Sequence, residues 1–93
     1  MSHVFKYPLK VTDEQEVVMP EGAAVLCVQI QRGIPCIWAE VDPQARKIKR
    51  TFVTYGTGHS IPKDGEKHYV GTYQSGNGDL VFHVFTDQKE IPI

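Results

Sequence analysis

Apolar and polar residues alternate along most of the chain with a period of two, which is typical of β-strands. Residues 3–11 place large apolar side chains on one side and lysines on the other, and this predicts a first strand. Pro8 lacks the N–H that an interior ladder requires, so we expect this strand at a sheet edge or at a bulge. A second short strand is predicted over residues 14–19, before a turn at residues 20–22.

The clearest unit is a β-hairpin over residues 24–41, in which two apolar stretches flank Arg32 and Gly33. With these two as the loop, the register pairs Ile30 with Pro35, Val28 with Ile37, and Leu26 with Ala39. This face of the hairpin is predicted to lie in the core. The predicted core residues are Leu26, Val28, Ile30, Ile37, Ala39, Phe52 or Val53, Phe82 and Val84.

Trp38 stands at the centre of the opposite hairpin face, among two cysteines and two glutamines. Half-buried packing is the plainer interpretation of a lone tryptophan. The same face could also form a subunit interface or a surface on which a flat ligand ring packs, since monomeric proteins seldom leave such a surface exposed to solvent. Because the core of so short a chain is also modest, we expect a homodimer or tetramer.

Two further strand-forming regions complete the pattern. Residues 51–55 alternate, and a second hairpin is predicted over residues 68–85 with Asn77 and Gly78 at its tip. Residues 79–85 carry bulk on both faces, so this strand is expected to be central. The sequence therefore predicts a single all-β domain over residues 1–93, a small antiparallel sandwich or half-open barrel of about six or seven strands. Residues 86–93 show no clear pattern and are predicted to form an irregular tail or to dock on a neighbour.

Composition narrows the class of protein. Hydrophobic residues make up 41% and charged residues 23% of the 93 positions, which is ordinary for a folded domain. The net charge of -1 supplies no overall field that would attract nucleic acid or an anionic membrane. No apolar run approaches the ~20 residues of a membrane span, and the first residues lack the apolar segment of a signal peptide. Two cysteines without paired spacing indicate reduced thiols, and so a cytosolic protein.

The best candidate for a site is the glycine-containing loop at residues 55–62. Its glycines permit positive φ and close approach to the main chain, its hydroxyls and imidazole supply donors and acceptors, and its tyrosine supplies a flat ring. The residues in question are Tyr55, Gly56, Thr57, Gly58, His59 and Ser60. An ordinary strand connection is an equally good interpretation, and the glycine spacing matches neither the phosphate loop of nucleotide hydrolases nor the dinucleotide fingerprint.

Charge is concentrated in one place, because residues 46–50 hold four of the ten basic residues. A solvated turn with edge lysines explains this run, and anion binding is the alternative. Under the second interpretation Arg50 would bond a phosphate, while Tyr55 or Trp38 would stack on a base. The predicted ligand is thus a small phosphate-bearing molecule such as a cyclic nucleotide. Extended nucleic acid is disfavoured, since four clustered charges give little counterion-release affinity.

Catalysis and metal binding are less favoured than binding of a small ligand. The four histidines have no helical ligand spacing and no accompanying carboxylate pair, so neither a metal nor a cofactor is predicted. A nucleophile such as Ser60 or Cys36 would need a third orienting group that the sequence does not identify. The chain is therefore predicted not to be an enzyme, and a small hydrolase is the least favoured alternative.

A set of short motifs runs through the first 85 residues: FKYPL (5–9), VMPEGA (18–23), VQIQ (28–31), PCIWA (35–39), VDP (41–43), YGTGH (55–59), YVGTYQ (69–74) and LVFHVF (80–85). In these motifs the chain resembles a family of short phage and prophage proteins of unassigned function. The resemblance implies a phage-encoded protein that acts in the bacterial cytoplasm. By analogy with small β-rich phage proteins, it suggests an oligomeric sponge that sequesters a cyclic nucleotide immune signal. A phage accessory or virion protein acting through protein contacts is the alternative.

Overall fold

Eight β-strands form the computed structural model of the protein, which describes residues 1–63 and 65–93. The strands are β1 (His3–Pro8), β2 (Glu14–Pro20), β3 (Ala24–Gln31), β4 (Ile34–Val41), β5 (Lys47–Gly56), β6 (His68–Ser75), β7 (Leu80–Thr86) and β8 (Ile91–Pro92). The predicted all-β class is confirmed, with one short strand more than expected. Within the described residues no helix is long and apolar enough to cross a membrane. The charged run over residues 63–67 also predicts a turn, and Asp64 within it lies outside the described residues.

The strands form two antiparallel sheets. The small sheet has the order β1-β4-β3, and the large sheet has the order β2-β5-β7-β6, with β8 paired to β5 beyond the end of β7. Strand β1 is an edge strand, as Pro8 predicts, and β7 lies between two neighbours, as its bulk on both faces predicts. The inner faces of the two sheets pack against each other as a sandwich.

The core lies between these inner faces, and β5 shows the alternation most clearly. Its even-numbered residues from 48 to 54 point inward and are buried, whereas the odd-numbered residues from 49 to 55 point outward. Burying a large apolar side chain of this kind contributes about 1.5–3 kcal/mol. The largest fully buried side chains are Phe52, Met19, Ile37, Ile48, Val41 and Val84. Of the two alternatives at 52 and 53, Phe52 is the core residue.

The register of the first hairpin is confirmed at two of three pairs. Ile30 faces Pro35 and Val28 faces Ile37, but Val25 rather than Leu26 faces Ala39. A β-bulge between residues 25 and 27 causes the shift, because the extra residue has no partner opposite. Leu26 is consequently 52% exposed, and its predicted place in the core is wrong. Ile30 is 42% exposed at the open end of the hairpin, so it is not a core residue either.

Residues 86–93 are more ordered than the irregular tail that their pattern predicts. Ile91 pairs with Lys49 and Pro92 with Ile48, so the tail extends the large sheet. Its anchor is Glu90, whose carboxylate accepts hydrogen bonds from the Arg50 guanidinium at 3.2 Å and from the backbone N–H of Gly22. An apolar pattern does not predict this docking, because a charged side chain fixes it.

The two sheets approach most closely where β3 crosses β6, and the two strands are not hydrogen-bonded to each other. Gly71 makes the close approach possible, since a Cβ at this position would lie 2.7 Å from Cγ1 of Val28. Both strands carry a bulge beside the crossing, at residues 25–27 in β3 and at residues 69–71 in β6. Bulges of this kind re-aim a strand, and here they bring the two edges together.

Candidate functional site

The glycine loop begins with a tight turn over residues 56–59 that closes the end of β5. The N–H of His59 donates to the carbonyl of Gly56 at 3.0 Å, and Gly58 has a φ of 88° at the third position of the turn. A type II turn requires a positive φ there, which explains the glycine. The N–H of Thr57 donates to the carbonyl of Val81 at 3.0 Å. Two of the loop amides that could hold a phosphate are therefore occupied by protein carbonyls.

The ring of His59 folds back over Gly56. A Cβ at position 56 would lie 3.1 Å from Cε1 of this ring, so glycine leaves room for the imidazole. Beside the turn lies a cavity of about 340 Å³, which residues 79–82 also line. Ser60 follows the turn and is exposed. Apart from His59, the ionisable side chain that lines this cavity is Asp79, and its carboxylate disfavours a phosphate there.

Tyr55 and Thr57 belong instead to the outer face of the large sheet. Tyr55 lies opposite His83 of β7, and His83 lies opposite Thr72 of β6. The Nε2 atom of His83 is 2.7 Å from the Thr57 hydroxyl, and its Nδ1 atom is 2.9 Å from the Thr72 hydroxyl. The Thr72 hydroxyl also bonds the phenol of Tyr69. We call Thr57, His83, Thr72 and Tyr69 the His83 network.

An aromatic row runs beside this network across three strands, and we define it as Tyr55, Phe85 and Tyr69. The ring centroids of Tyr55 and Phe85 are 5.9 Å apart, and those of Tyr69 and Phe85 are 5.6 Å apart, both edge-to-face. Tyr69 is 62% exposed. The row adjoins a groove of about 200 Å³ whose lining includes Pro62 and Lys67.

The charge in this groove is mostly negative. Lys67 is one cation, and three carboxylates line the same groove, those of Glu14, Glu66 and Asp87. The ammonium of Lys67 donates to the carbonyl of Pro62 at 2.7 Å, which holds the lysine against the loop. A ligand with several negative charges would meet net repulsion here.

The structure does not bring Arg50 to the loop. This residue points into the sandwich, is 4% exposed, and donates from Nη2 to the carbonyl of Ala23 and to Glu90, each at 3.2 Å. The rest of the basic run is also used locally, because Arg46 pairs with Glu21 at 2.9 Å and Lys49 lies 3.9 Å from Glu16. The hydrogen bond that Arg46 donates to the Glu21 carboxylate is the main cause that raises the pKa of Arg46. The run thus ties strands together instead of forming a free anion site.

Trp38 also lies apart from the loop. It is on the outer face of the small sheet, between the buried Ile37 and Ala39, whereas Tyr55 is on the outer face of the large sheet. The whole core separates the two rings, so they cannot stack on one base. The Nε1 atom of Trp38 is buried without a hydrogen-bond partner among the described residues.

Sequence comparison places the chain in a family. A family model described as "Domain of unknown function (DUF7352)" matches residues 1–92. The chain belongs to the DUF7352 family. No curated protein and no solved structure matches it.

Four side chains of this DUF7352 domain were not among the predicted site residues, namely Tyr69, Thr72, His83 and Phe85. The second hairpin could have indicated two of them, because a register fixed at its Asn-Gly tip sets His83 opposite Thr72. The contact with Thr57 depends on the pairing of β5 with β7, which a local pattern does not reveal.

Metal ligands do not converge in the part of the chain that the structure describes, where no three His, Cys, Asp or Glu side chains could hold an ion together. Cys27 is half-buried and Cys36 is buried, and both are free thiols. The site of the DUF7352 domain is therefore built from hydroxyls, one imidazole and aromatic rings.

Proposed function

We propose that this protein binds a small cyclic nucleotide on the outer face of its large sheet and releases it unchanged. The observation that carries the proposal is the adjacency of the aromatic row and the His83 network on one solvent-facing surface. The aromatic row supplies flat apolar rings, and the His83 network supplies hydroxyl and imidazole groups. A nucleoside needs both kinds of contact.

The base would contact the aromatic row through Tyr55. Stacking of one base on an aromatic side chain contributes about 1–3 kcal/mol, and it needs no particular base because every base has a π-face. Tyr55 is held in place by its edge-to-face contact with Phe85. A ring that is fixed before binding loses little conformational entropy on contact with the ligand.

The ribose would contact the His83 network. A threonine hydroxyl both donates and accepts hydrogen bonds, and so does a ribose hydroxyl. Thr57 stands at the end of the network nearest the turn, and its hydroxyl bonds both His83 and the carbonyl of Val81, the latter at 3.4 Å. This longer bond is the one that a ribose hydroxyl would replace most readily.

The charge of the groove favours a cyclic nucleotide over a linear one. A cyclic phosphodiester lacks the second ionisation near pH 6 that a terminal phosphate monoester has, so it carries less negative charge. Lys67 can offset one such charge, while Glu14, Glu66 and Asp87 oppose any more. The geometry thus supports the same ligand class as the sequence, with Lys67 in the role first assigned to Arg50.

In the biological setting that the phage resemblance implies, the protein would act in the cytoplasm of an infected bacterium. It would sequester a cyclic nucleotide signal of the host's anti-phage defence, as an assembled homo-oligomer and without a cofactor. A phage accessory protein that acts through protein contacts is the alternative.

Titration calorimetry against cyclic mono-, di- and trinucleotides and their linear hydrolysis products tests the proposal. We expect binding of a cyclic nucleotide and weaker binding of its linear product. Tyr55→Ala should weaken binding roughly 5- to 150-fold through lost stacking, whereas Tyr55→Phe should retain it. Phe5→Ala serves as a matched control, because Phe5 is a partly exposed aromatic residue on the other sheet.

The state of the released ligand separates binding from catalysis. After denaturation of the complex, chromatography should recover the cyclic nucleotide intact. Recovery of a linear product would show hydrolysis, and Thr57→Ala and His83→Ala would then test whether the close pair of hydroxyl and imidazole performs it. Absence of heat with every nucleotide, at concentrations where the protein is folded, would favour the interaction-protein alternative.

A further inference from the structure

A cleft opens between the two sheets where β3 and β6 diverge from their crossing. Two cavities of about 430 Å³ each lie along it, one beside residues 28–30 and 72–74 and the other continuing to the tips of both hairpins. They share Ile30, Tyr73 and Gln74 in their linings. The cleft is on a different part of the molecule from the His83 network and the aromatic row, apart from Thr72, whose side chain belongs to that network.

The wall formed by β3 presents unpaired backbone groups to the cleft. The carbonyl of Pro35 accepts from the N–H of Leu9 at 2.8 Å, so residue 35 directs its backbone groups toward β1 and away from β3. Ile30, which lies opposite Pro35, is therefore in a non-hydrogen-bonded pair of the β3–β4 ladder. Its N–H and C=O point away from β4, toward β6.

The wall formed by β6 has the same property. The carbonyl of Val81 accepts from the N–H of Thr57, so residue 81 directs its backbone groups toward β5. Gln74 lies opposite Val81 and is likewise in a non-hydrogen-bonded pair of the β6–β7 ladder. Its N–H and C=O point toward β3. Two sheet edges with free donors and acceptors thus face one another across the cleft.

These two edges lack the charged residues and prolines that usually oppose strand addition, and their bulges, at residues 25–27 and 69–71, do not include Ile30 or Gln74. The other two edge strands carry a proline and a lysine in β1 (Pro8 and Lys6) and glutamates in β2 (Glu14 and Glu16). By contrast, β3 and β6 contain no Asp, Glu, Lys or Arg. Charges and prolines at an edge oppose pairing with another chain, so their absence here permits it.

The cleft is uncharged throughout its described lining. No Asp, Glu, Lys or Arg borders either cavity, although such residues make up 23% of the chain. Burial raises the pKa of the Tyr73 hydroxyl above its ordinary value, so this group is a neutral donor at physiological pH. An occupant that carried a charge would lose hydration without gaining a partner.

We propose that this cleft receives an extended, uncharged peptide segment of a partner protein, which adds as a strand between β3 and β6. The backbone of the segment would bond Ile30 on one side and Gln74 on the other. Alternate side chains would enter the cleft against Ile30 and Tyr73, and the others would face solvent. The proposal does not depend on nucleotide binding, because Ile30, Tyr73 and Gln74 belong to neither the aromatic row nor the His83 network.

Amide hydrogen exchange followed by NMR tests the edges directly. In the free protein the amides of Ile30 and Gln74 should exchange much faster than those of Gln29 and Tyr73, which lie in hydrogen-bonded pairs. The probe is the acetylated and amidated peptide Ser-Val-Thr-Val-Thr-Val-Ser. Its addition should slow exchange at Ile30 and Gln74 together, since one strand bonds both edges.

A second peptide separates backbone pairing from apolar contact. It has the same sequence with N-methyl groups on its three valines, so it lacks the donors for one edge. Its affinity should fall by about tenfold or more. Equal affinity of the two peptides would overturn the proposal, and so would a lack of protection at Ile30 and Gln74 at saturating peptide.

Two results with the free protein would also overturn it. Protection of both amides at every protein concentration would mean that the edges are already paired within the chain. Protection of these two amides that increases with protein concentration would mean that a second copy of this chain occupies the cleft. Ile30→Asp should weaken peptide binding, whereas Ile34→Asp should not, because Ile34 is similarly exposed, at 50%, but lies outside the cleft. Circular dichroism of each variant verifies that it is folded.

Discussion

At the scale of single residues, Arg50 shows how a sequence pattern can place a charge on the wrong side of a strand. Residues 46–50 suggest a solvated basic run, yet alternation along β5 turns Arg50 inward with Ile48 and Phe52. The alternation along β5 is present in the sequence, but a charged arginine is expected in a protein core only where a hydrogen-bonding or oppositely charged partner is known. That partner is Glu90, 40 residues later in the chain, and no local pattern connects the two.

Because Arg50 is buried, its removal should affect the stability of the fold and not the affinity for a ligand. Arg50→Ala should lower the free energy of unfolding by about 3 kcal/mol, because it leaves the partly buried Glu90 carboxylate without its cation. Urea denaturation measures this loss. Lys49→Ala is the matched control, and the exposed pair it breaks should contribute less than about 1 kcal/mol. Equal effects of the two changes, or a loss of nucleotide binding with unchanged stability, would contradict the buried pair.

At the scale of strands and hairpins, local alternation predicted most of the structure. It located seven strands and gave the correct register at the loop end of the first hairpin. It failed before Cys27, because a bulge adds one residue there and reverses the faces of the preceding residues of β3. The bulge lies beside the close approach of β3 to β6, which is a tertiary contact and therefore leaves no local signal in the sequence.

The crossing itself can be tested through Gly71. Gly71→Ala should destabilise the protein by about 1–3 kcal/mol, since the new methyl group would overlap Cγ1 of Val28. In the double variant with Val28→Ala, the loss should be smaller than the sum of the two single losses. Thermal or urea denaturation of the four proteins measures the coupling. Leu26→Ala, at the exposed bulge, should change stability by less than about 0.5 kcal/mol. Strict additivity at Gly71 and Val28 would argue against the close approach of the two strands.

At the scale of the whole molecule, the sequence could not indicate which predicted site residues would meet. Pairing of β1 with β4, of β2 with β5 and of β5 with β7 joins segments that are distant in the chain. Alternation assigns each residue to one face of its own strand but does not say which sheet that strand enters. Tyr55 and Trp38 were therefore both plausible platforms from the sequence, and the sandwich places them on opposite outer faces.

The face around Trp38 is the basis for the expected self-association. The indole N–H of Trp38 at its centre is buried and has no hydrogen-bond partner within the described residues. Lys6 and Cys27 lie directly opposite Trp38 on the two neighbouring strands, with Gln29 and Gln31 further along β3. Light scattering at micromolar concentration should give a mass at least twice the 10.5 kDa of one chain. Trp38→Ser should lower that mass, whereas Val18→Ser, at an exposed apolar residue on the other sheet, should not. A strict monomer would contradict the prediction.

The pairing of Glu90 with Arg50 has a consequence for how the protein is made in the cell. During translation the strands up to β7 emerge from the ribosome before residue 90 does. Until Glu90 emerges, Arg50 lies in an incompletely packed sandwich without its counterion. The last step of folding can then follow only after residue 90 has been synthesised. A chain truncated before residue 90 would leave Arg50 without its carboxylate partner, and its lower stability should make it a better substrate for proteases.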